Sequence, residues 1–234
     1  AVNEYCILLS GHCIPVTNEW LDGLIRPLSS PKVAATCGRQ VPRHGLDPFE
    51  EAEIERWFPS LDENISFLMF TSANSAIKRS LWQNCRFDEA INTLEDADVS
   101  DRLKKGGYDI QYVPAAAVYH SHAISVPGIY RRWYWRSRVG MSLRQDVNPR
   151  IKESAKSVLP YVAPLEIVLI SVSRYFFKGI KICLTRGYIS QLWKSPVYEF
   201  IREYAVYTGV KDGLLDVKNK HTPKRFTYYQ QPVP

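Results

Sequence analysis

Two sets of residues in this chain have the types and spacing to do chemistry. Leu94-Glu95-Asp96-Ala97-Asp98 is a packed acidic run opening a helical pattern, and His12, His120 and His122 stand at the ends of apolar stretches. Asp96 can act as a general base, because a hydroxyl nucleophile needs a carboxylate within hydrogen-bond reach of its proton. Glu95, Asp96 and Asp98 can equally stabilise a helix N-terminus, where the backbone dipole favours negative charge. His12, His120 and His122 can ligate a divalent metal, imidazole being a frequent ligand. Any single histidine is more often a polar core or surface residue, and alternate positions such as His120 and His122 share a strand face by chance as well. Arg39, Gln40 and Arg43 follow another apolar run; arginine suits phosphate or carboxylate, and a solvated loop has the same composition.

These residues need a scaffold, and the pattern supplies an α/β one. Tyr5-Cys6-Ile7-Leu8-Leu9 and Val33-Ala34-Ala35-Thr36-Cys37 read as buried strands, the second ended by Gly38. Between them Asn18 caps a helix from Glu19 to Leu28, with Trp20, Leu21, Leu24 and Leu28 on one face and Pro31 as its breaker. Residues 42–66 read as a surface excursion with a Glu-rich helix at 48–57. Phe67-Leu68-Met69-Phe70 is a strand candidate, and Ile77 to Trp82 a short helical turn. Glu95 to Lys105 is a helix closed by Gly106-Gly107, followed by a strand, Ile110-Gln111-Tyr112-Val113, that Pro114 stops. Alternation of this kind favours a sheet with parallel pairs. Ligands then sit beyond the carboxyl ends of the strands, where Ser10-Gly11-His12, Asn74, and His120 with His122 fall.

Composition bounds the rest. The chain has 234 residues, 45% of them hydrophobic, which is ample for a core. Its net charge of +6 is uneven: residues 1–127 carry 17 acidic against 11 basic side chains, residues 128–234 carry 7 against 19. The acidic part holds the candidate site; the basic part suits an anionic partner such as a membrane surface or phosphate groups. We read residues 1–127 as the catalytic-type domain, 128–217 as a basic amphipathic helical region and 218–234 as an extended polar tail. Tyr130 to Arg138 alternates aromatics with arginine, which suits a nucleic-acid patch, a membrane interface or intramolecular packing. The apolar helices nearby favour the membrane, and no nucleic-acid partner is expected. Five scattered cysteines without Cys-x-x-Cys suit reduced thiols in the cytoplasm, and no apolar run is long enough to span a bilayer.

Taken in order, these pieces resemble a family 2 glycosyltransferase of the GT-A fold. The series is an apolar strand with its metal-site triplet, a Pro and a Trp before a helix, VAATCG (33–38), SANSAIKRSLW (72–82), FDE (87–89), and EDADVSDRLKKGGYDIQYVPAAAVYHSH (95–122). The variants Ser10-Gly11-His12-Cys13-Ile14-Pro15 and Gly38-Arg39-Gln40-Val41-Pro42 are similar to a bacterial rhamnosyltransferase-like subgroup. The resemblance covers about residues 1–145.

The resemblance implies a GT-A-like (Rossmann-like) mixed sheet flanked by helices. It implies inverting transfer from a nucleotide-sugar donor to a hydroxyl of a glycan or lipid-linked acceptor, in cell-envelope polysaccharide biosynthesis. Asp96 matches the family's general base and Glu95 its orienting partner, with Ser10, His12, Arg39, Gln40 and Asn74 on the donor diphosphate side. A divalent metal, Mg²⁺ or Mn²⁺, normally sits on an Asp-x-Asp pair; this chain has Ser10-Gly11-His12 there, so His12, with His120 or His122, or else Arg39, inherits that work. Residue 1 falls just before the metal-site strand, which implies that an N-terminal nucleotide-binding segment is missing and that a sheet edge is exposed. The implied location is cytoplasmic, peripheral on the inner face of the membrane. A truncated, non-catalytic relative that binds a glycan, a membrane or a partner is the alternative.

Overall fold

Val33-Ala34-Ala35-Thr36-Cys37-Gly38 is buried along its whole length, as the central strand of a covered sheet must be. The structure, a computed structural model, describes residues 3–43, 47–60, 70–89, 91, 93–122, 125–147 and 176–219. The chain divides into two compact units. One comprises Ala1–Asp88 with Glu95–Ala123, the other Glu89–Leu94 with Ile124–Pro234.

The first unit is a mixed five-stranded sheet with helices. Its strands are β1 (Tyr5–Leu9), β2 (Ile14–Pro15), β3 (Val33–Val41), β4 (Asn74–Lys78) and β5 (Asp109–Tyr119), in the spatial order β1-β4-β3-β5-β2. Only β3 and β5 run parallel; β4 runs against both β1 and β3, and β2 against β5. The sheet is mixed, with β3 and β5 as its parallel pair among the described residues; a reversed inner strand completes its ladder just as well. Helix α1 (Trp20–Ile25) lies on one face, where Leu24 and Leu28 pack with Val33, Ala76 and Ala116. On the other face, Val99 and Leu103 of α4 (Glu95–Lys105) join Ala35, Ile77, Ile110 and Phe70. The remaining helices of the unit are α2 (Pro48–Trp57) and α3 (Arg79–Asn84).

Several local expectations are revised, each for a physical reason. α1 stops at Ile25 because Pro27 starts a 3-10 turn, Arg26–Ser29, and no side chain caps its start, so Asn18 is not a cap. β1 is buried on one side only: Cys6 and Leu8 pack inward while Ile7 and Leu9 stay exposed, and among the described residues it pairs only with β4. Ile77 belongs to β4, and the helical turn begins at Arg79. Helix 48–57 forms as expected, with Asp47 accepting from the Phe49 and Glu50 amides, but its first turn is buried rather than on the surface. Gly106-Gly107 closes α4, Gly107 taking φ +81°. The strand candidate Phe67-Leu68-Met69 lies outside the described residues, as do 148–175, with Ile167, Leu169 and Ile170, and the tail from 220.

Gly38 and Pro114 do not end their strands. They lie at one irregularity, where β3 advances from Gly38 to Gln40 while β5 advances from Val113 to Val118. A bulge is where a sheet tolerates a residue with no N–H to donate, so Pro114 is accommodated. Gly38 is required there: a Cβ would lie 2.2 Å from the Ala116 carbonyl oxygen and 2.3 Å from Asn74 Nδ2.

The second unit is built on α5 (Val126–Val147), a helical stretch at 176–185 that we label α6, and α7 (Lys194–Lys218). Tyr130 bonds Thr208 (3.1 Å), Tyr134 donates to Asp212 (2.6 Å) and Arg138 forks onto Asp216 (2.6 and 2.9 Å). Partners rise together, four residues at a step, so α5 and α7 are parallel. Gly209 and Gly213 let them close up: a Cβ there would lie 2.3 Å from the Tyr134 carbonyl oxygen and 2.6 Å from that of Arg138. Arg136 and Arg202 both approach the Trp133 ring. The basic-aromatic stretch 130–138 is thus spent largely on packing within this unit, the third of its sequence readings.

Gly38→Ala is expected to cost about 3 kcal/mol in chemical denaturation. Gly11→Ala, with nothing within 4 Å of its Cβ, should cost less than about 0.5 kcal/mol. Burial first, then the Asp212 hydrogen bond, push the Tyr134 hydroxyl up to about 12. Its raised value means a contribution fully present below about pH 10 and lost as pH rises through 12. Circular-dichroism melts between pH 9 and pH 12 should therefore show a steeper loss of stability in the native chain than in Tyr134→Phe.

Candidate functional site

The acidic run resolves into separate jobs once α4 is formed. Asp98 pairs with Arg102 (2.6 Å) and Asp101 with Lys105 (2.7 Å), both one helical turn apart. Asp96, in the first turn and half-buried, accepts at Oδ2 from the Ser72 hydroxyl (3.3 Å). Its own backbone carbonyl accepts from Ser100 (2.6 Å), whose Oγ also receives the Phe70 amide. α4 is thereby tied to the 70–72 segment that leads into β4, and the Asp96 carboxylate is oriented by a loop as well as by its helix. Glu95 is half-buried beside it. Leu94, immediately before the helix, has φ +64°, a left-handed backbone that is unfavourable for a branched side chain.

At the ends of β3 and β5 three imidazoles meet. His12, His120 and His122 offer ring nitrogens that all lie within 4.8 Å of one another, with His120 buried and the other two exposed. His120 Nε2 is 2.9 Å from His12 Nε2, and the three rings pack in mutual contact. Each of the first two is oriented from behind: His120 Nδ1 by Gln40 Oε1, His12 Nδ1 by Ser10 Oγ at 3.1 Å. The segments are pinned by Arg43, whose guanidinium donates to the His12 carbonyl (2.8 Å) and whose amide donates to Ser121 Oγ (2.7 Å). The His120 amide donates in turn to the Val41 carbonyl (2.9 Å).

The residues expected on the diphosphate side separate into three roles. Ser10 and His12 stand at the open end of β1. Gln40 is buried behind His120, its Nε2 donating to Thr71 Oγ1 (3.4 Å), so it positions an imidazole rather than meeting a ligand. Asn74 is wholly buried: its Nδ2 donates to the carbonyls of Ala116 (2.9 Å) and Arg39 (3.1 Å), and its Oδ1 accepts from the Trp20 indole (2.8 Å). Its side chain thus ties α1 to β3 and β5. Arg39 is half-buried, and its Nε has no hydrogen-bond partner among the described residues. Thr71 and Ser72 were not singled out in the sequence. Being adjacent, they link Gln40 to Asp96, and nothing in a Thr-Ser pair signals that. Cys37 lies by Thr71; burial pushes its thiol up to about 11, with Asp96 adding to the rise, so it is a neutral filler rather than a nucleophile.

The architecture, a mixed sheet with helices, is similar to that of a GT-A glycosyltransferase. The chain matches the mannosyltransferase PcManGT from Pyrobaculum calidifontis, solved with GDP-Man and Mn²⁺, at a TM-score of 0.50 and 16% identity, over 91% of this chain and 63% of that one. In sequence it is 24% identical over 143 residues to the O-antigen chain rhamnosyltransferase WbaN of Salmonella anatum. It is 23% identical over 148 residues to RfbN of Salmonella typhimurium. Each match takes in 56% of this chain and 45% of the relative, so the chain spans about half the length of the curated relatives it matches. No protein-family model matches it. The chain is glycosyltransferase-like and distantly related to O-antigen rhamnosyltransferases.

Proposed function

We propose that the chain is an inverting glycosyltransferase, or its acceptor-side portion, that moves a hexose from a nucleotide-sugar to a glycan or lipid-linked hydroxyl. In this reading Asp96 takes the proton of the acceptor hydroxyl as its oxygen bonds to the anomeric carbon. The bond from that carbon to the donor phosphate breaks, and the nucleoside diphosphate leaves with the electron pair. Glu95 orients the site. The carrying observation is the Asp96 carboxylate, set at the first turn of α4 and oriented by Ser72. A general base must be held so that its oxygen meets one proton, and a loop-to-helix hydrogen bond does that. The distant relation to rhamnosyltransferases supports rhamnose or mannose as the sugar and envelope polysaccharide as the product.

The charge that develops on the diphosphate falls to the Ser10–His12 segment, where the family's Asp-x-Asp is replaced. Three imidazoles without a carboxylate do not fit Mg²⁺, which wants an octahedron of oxygens, and they suit Mn²⁺ poorly. Arg39, on β3, remains the candidate cation for the diphosphate.

We also propose that the second unit rests on an anionic membrane at the cytoplasmic face. Phe177, Leu184, Ile189 and Trp193 are exposed on or next to α6, with Lys178 and Lys181 among them. Apolar side chains interleaved with lysine suit the headgroup boundary. Among the described residues no helix is long and apolar enough to cross a membrane.

In the natural protein that carries this chain, Asp96→Asn should slow sugar transfer by roughly 10²–10⁴-fold with little change in thermal unfolding. Ordinary turnover by that variant would remove Asp96 as the base. The chain should also co-sediment with phosphatidylglycerol-containing vesicles, less so as salt rises, and Phe177→Ser with Trp193→Ser should weaken it. Equal binding to neutral and anionic vesicles would count against the membrane reading.

A further inference from the structure

We propose that His12, His120 and His122 form a binding site for a borderline transition metal of the Zn²⁺ class that discriminates against Mg²⁺ and Mn²⁺. The donor set argues for it first. All three ligands are neutral imidazoles, and among the described residues no Asp, Glu or Cys belongs to the group. Imidazole suits zinc, copper, nickel and iron, whereas magnesium and manganese prefer carboxylate, carbonyl and water oxygens. Mn²⁺ stands lowest in the affinity order of the divalent first-row ions, so an all-nitrogen site separates it widely from Zn²⁺.

Geometry argues for it second. Zinc–nitrogen bonds of about 2.0–2.1 Å set tetrahedral ligands roughly 3.3 Å apart. The two Nε2 atoms of His12 and His120 are 2.9 Å apart, and the whole set lies within 4.8 Å. His12 and His122 are exposed and can turn through the small remaining distance, while buried His120 is the fixed member. Three protein nitrogens leave a fourth tetrahedral position to solvent or to an anionic oxygen.

The surroundings argue for it third. A ligating histidine normally gives its other ring N–H to a fixed acceptor, which sets the tautomer and aims the lone pair. Gln40 Oε1 does this for His120, and Gln40 is itself held by Thr71. Ser10 Oγ stands in the same relation to His12. When both Nδ1 atoms carry their hydrogens, two Nε2 lone pairs face each other at 2.9 Å, an arrangement that a bound cation relieves. The proposal stands on these side chains and requires no sugar transfer, so it can fail or hold independently of Asp96.

The test uses the chain without a polyhistidine tag, stripped with chelator and dialysed. Calorimetry with Zn²⁺, Co²⁺, Mn²⁺ and Mg²⁺ alone should give one Zn²⁺ and one Co²⁺ per chain, each bound roughly 10²-fold or more tighter than Mn²⁺ or Mg²⁺. Co²⁺ should develop the visible absorption of a four-coordinate site. His122→Ala, at an exposed position, should lose affinity tenfold or more, as should His120→Ala if it folds. Gln40→Leu should weaken Zn²⁺ by roughly 10–100-fold, and Gln40→Glu should restore it, since a carboxylate accepts the same N–H. His221→Ala is the control and should leave binding intact. Equal affinity for Mg²⁺ or Mn²⁺ and Zn²⁺, or undiminished Zn²⁺ binding in His122→Ala, would overturn the assignment.

Discussion

The Asn74 carboxamide, itself wholly buried, makes three hydrogen bonds, and the site end of the sheet is arranged around them. It joins the Trp20 indole of α1 to the carbonyls of Arg39 on β3 and Ala116 on β5. A buried amide of this kind is tolerable only when every bond is made, because each orphaned partner would cost about 1–3 kcal/mol. The requirement propagates outward. β5 must bulge to present Ala116, Gly38 must lack a side chain to leave Asn74 room, and β3 and β5 resume pairing only at Gln40 and Val118. From that restored register Gln40 and His120 face each other across two strands. The imidazole cluster is thus a downstream product of one amide.

The same end of the sheet keeps its two kinds of chemistry apart. Thr71 reaches Gln40 and the imidazole side; Ser72 reaches Asp96. The adjacent hydroxyls bond in separate directions, so the acidic and imidazole groups are each fixed to the sheet instead of to one another. That arrangement suits a reaction in which a nucleophile is deprotonated at one place and a leaving group is held at another.

The elements carried by local signals were legible from the residues. α4 was, because three acidic residues open it and a glycine pair closes it; so was α2, from its run of glutamates. The convergence of His12 with His120 and His122 was foreseeable only as an option, since nothing in spacing connects positions over a hundred residues apart. Strand ends misled most. Gly38 and Pro114 look like stops when each is read alone, yet together they mark one bulge inside continuous strands. Ile77 looked helical because the run after it is, and pairing with Cys6 and Ala35 overrides that preference. Asn74 and Gln40 were assigned to ligand because they sit near strand ends. Burial is a tertiary property, and only packing reveals that both are turned inward to hold neighbouring backbone and side chains.

The parallel course of α5 and α7 bears on how the chain comes to be folded. Each of its three rungs joins residues 78 positions apart. Antiparallel helices can meet through a short turn as soon as the second is made. Parallel ones cannot, and a long closure must precede the first rewarding contact. On a ribosome, α5 emerges before its partner helix, and the rungs from Tyr130, Tyr134 and Arg138 to Thr208, Asp212 and Asp216 can form only once those residues are out. Tyr119, by contrast, completes the pairing of β5 with β2 much earlier in synthesis. The sheet unit can therefore be assembled while α5 still waits for its partner helix, and that interval is when its aromatic face is most open to other surfaces.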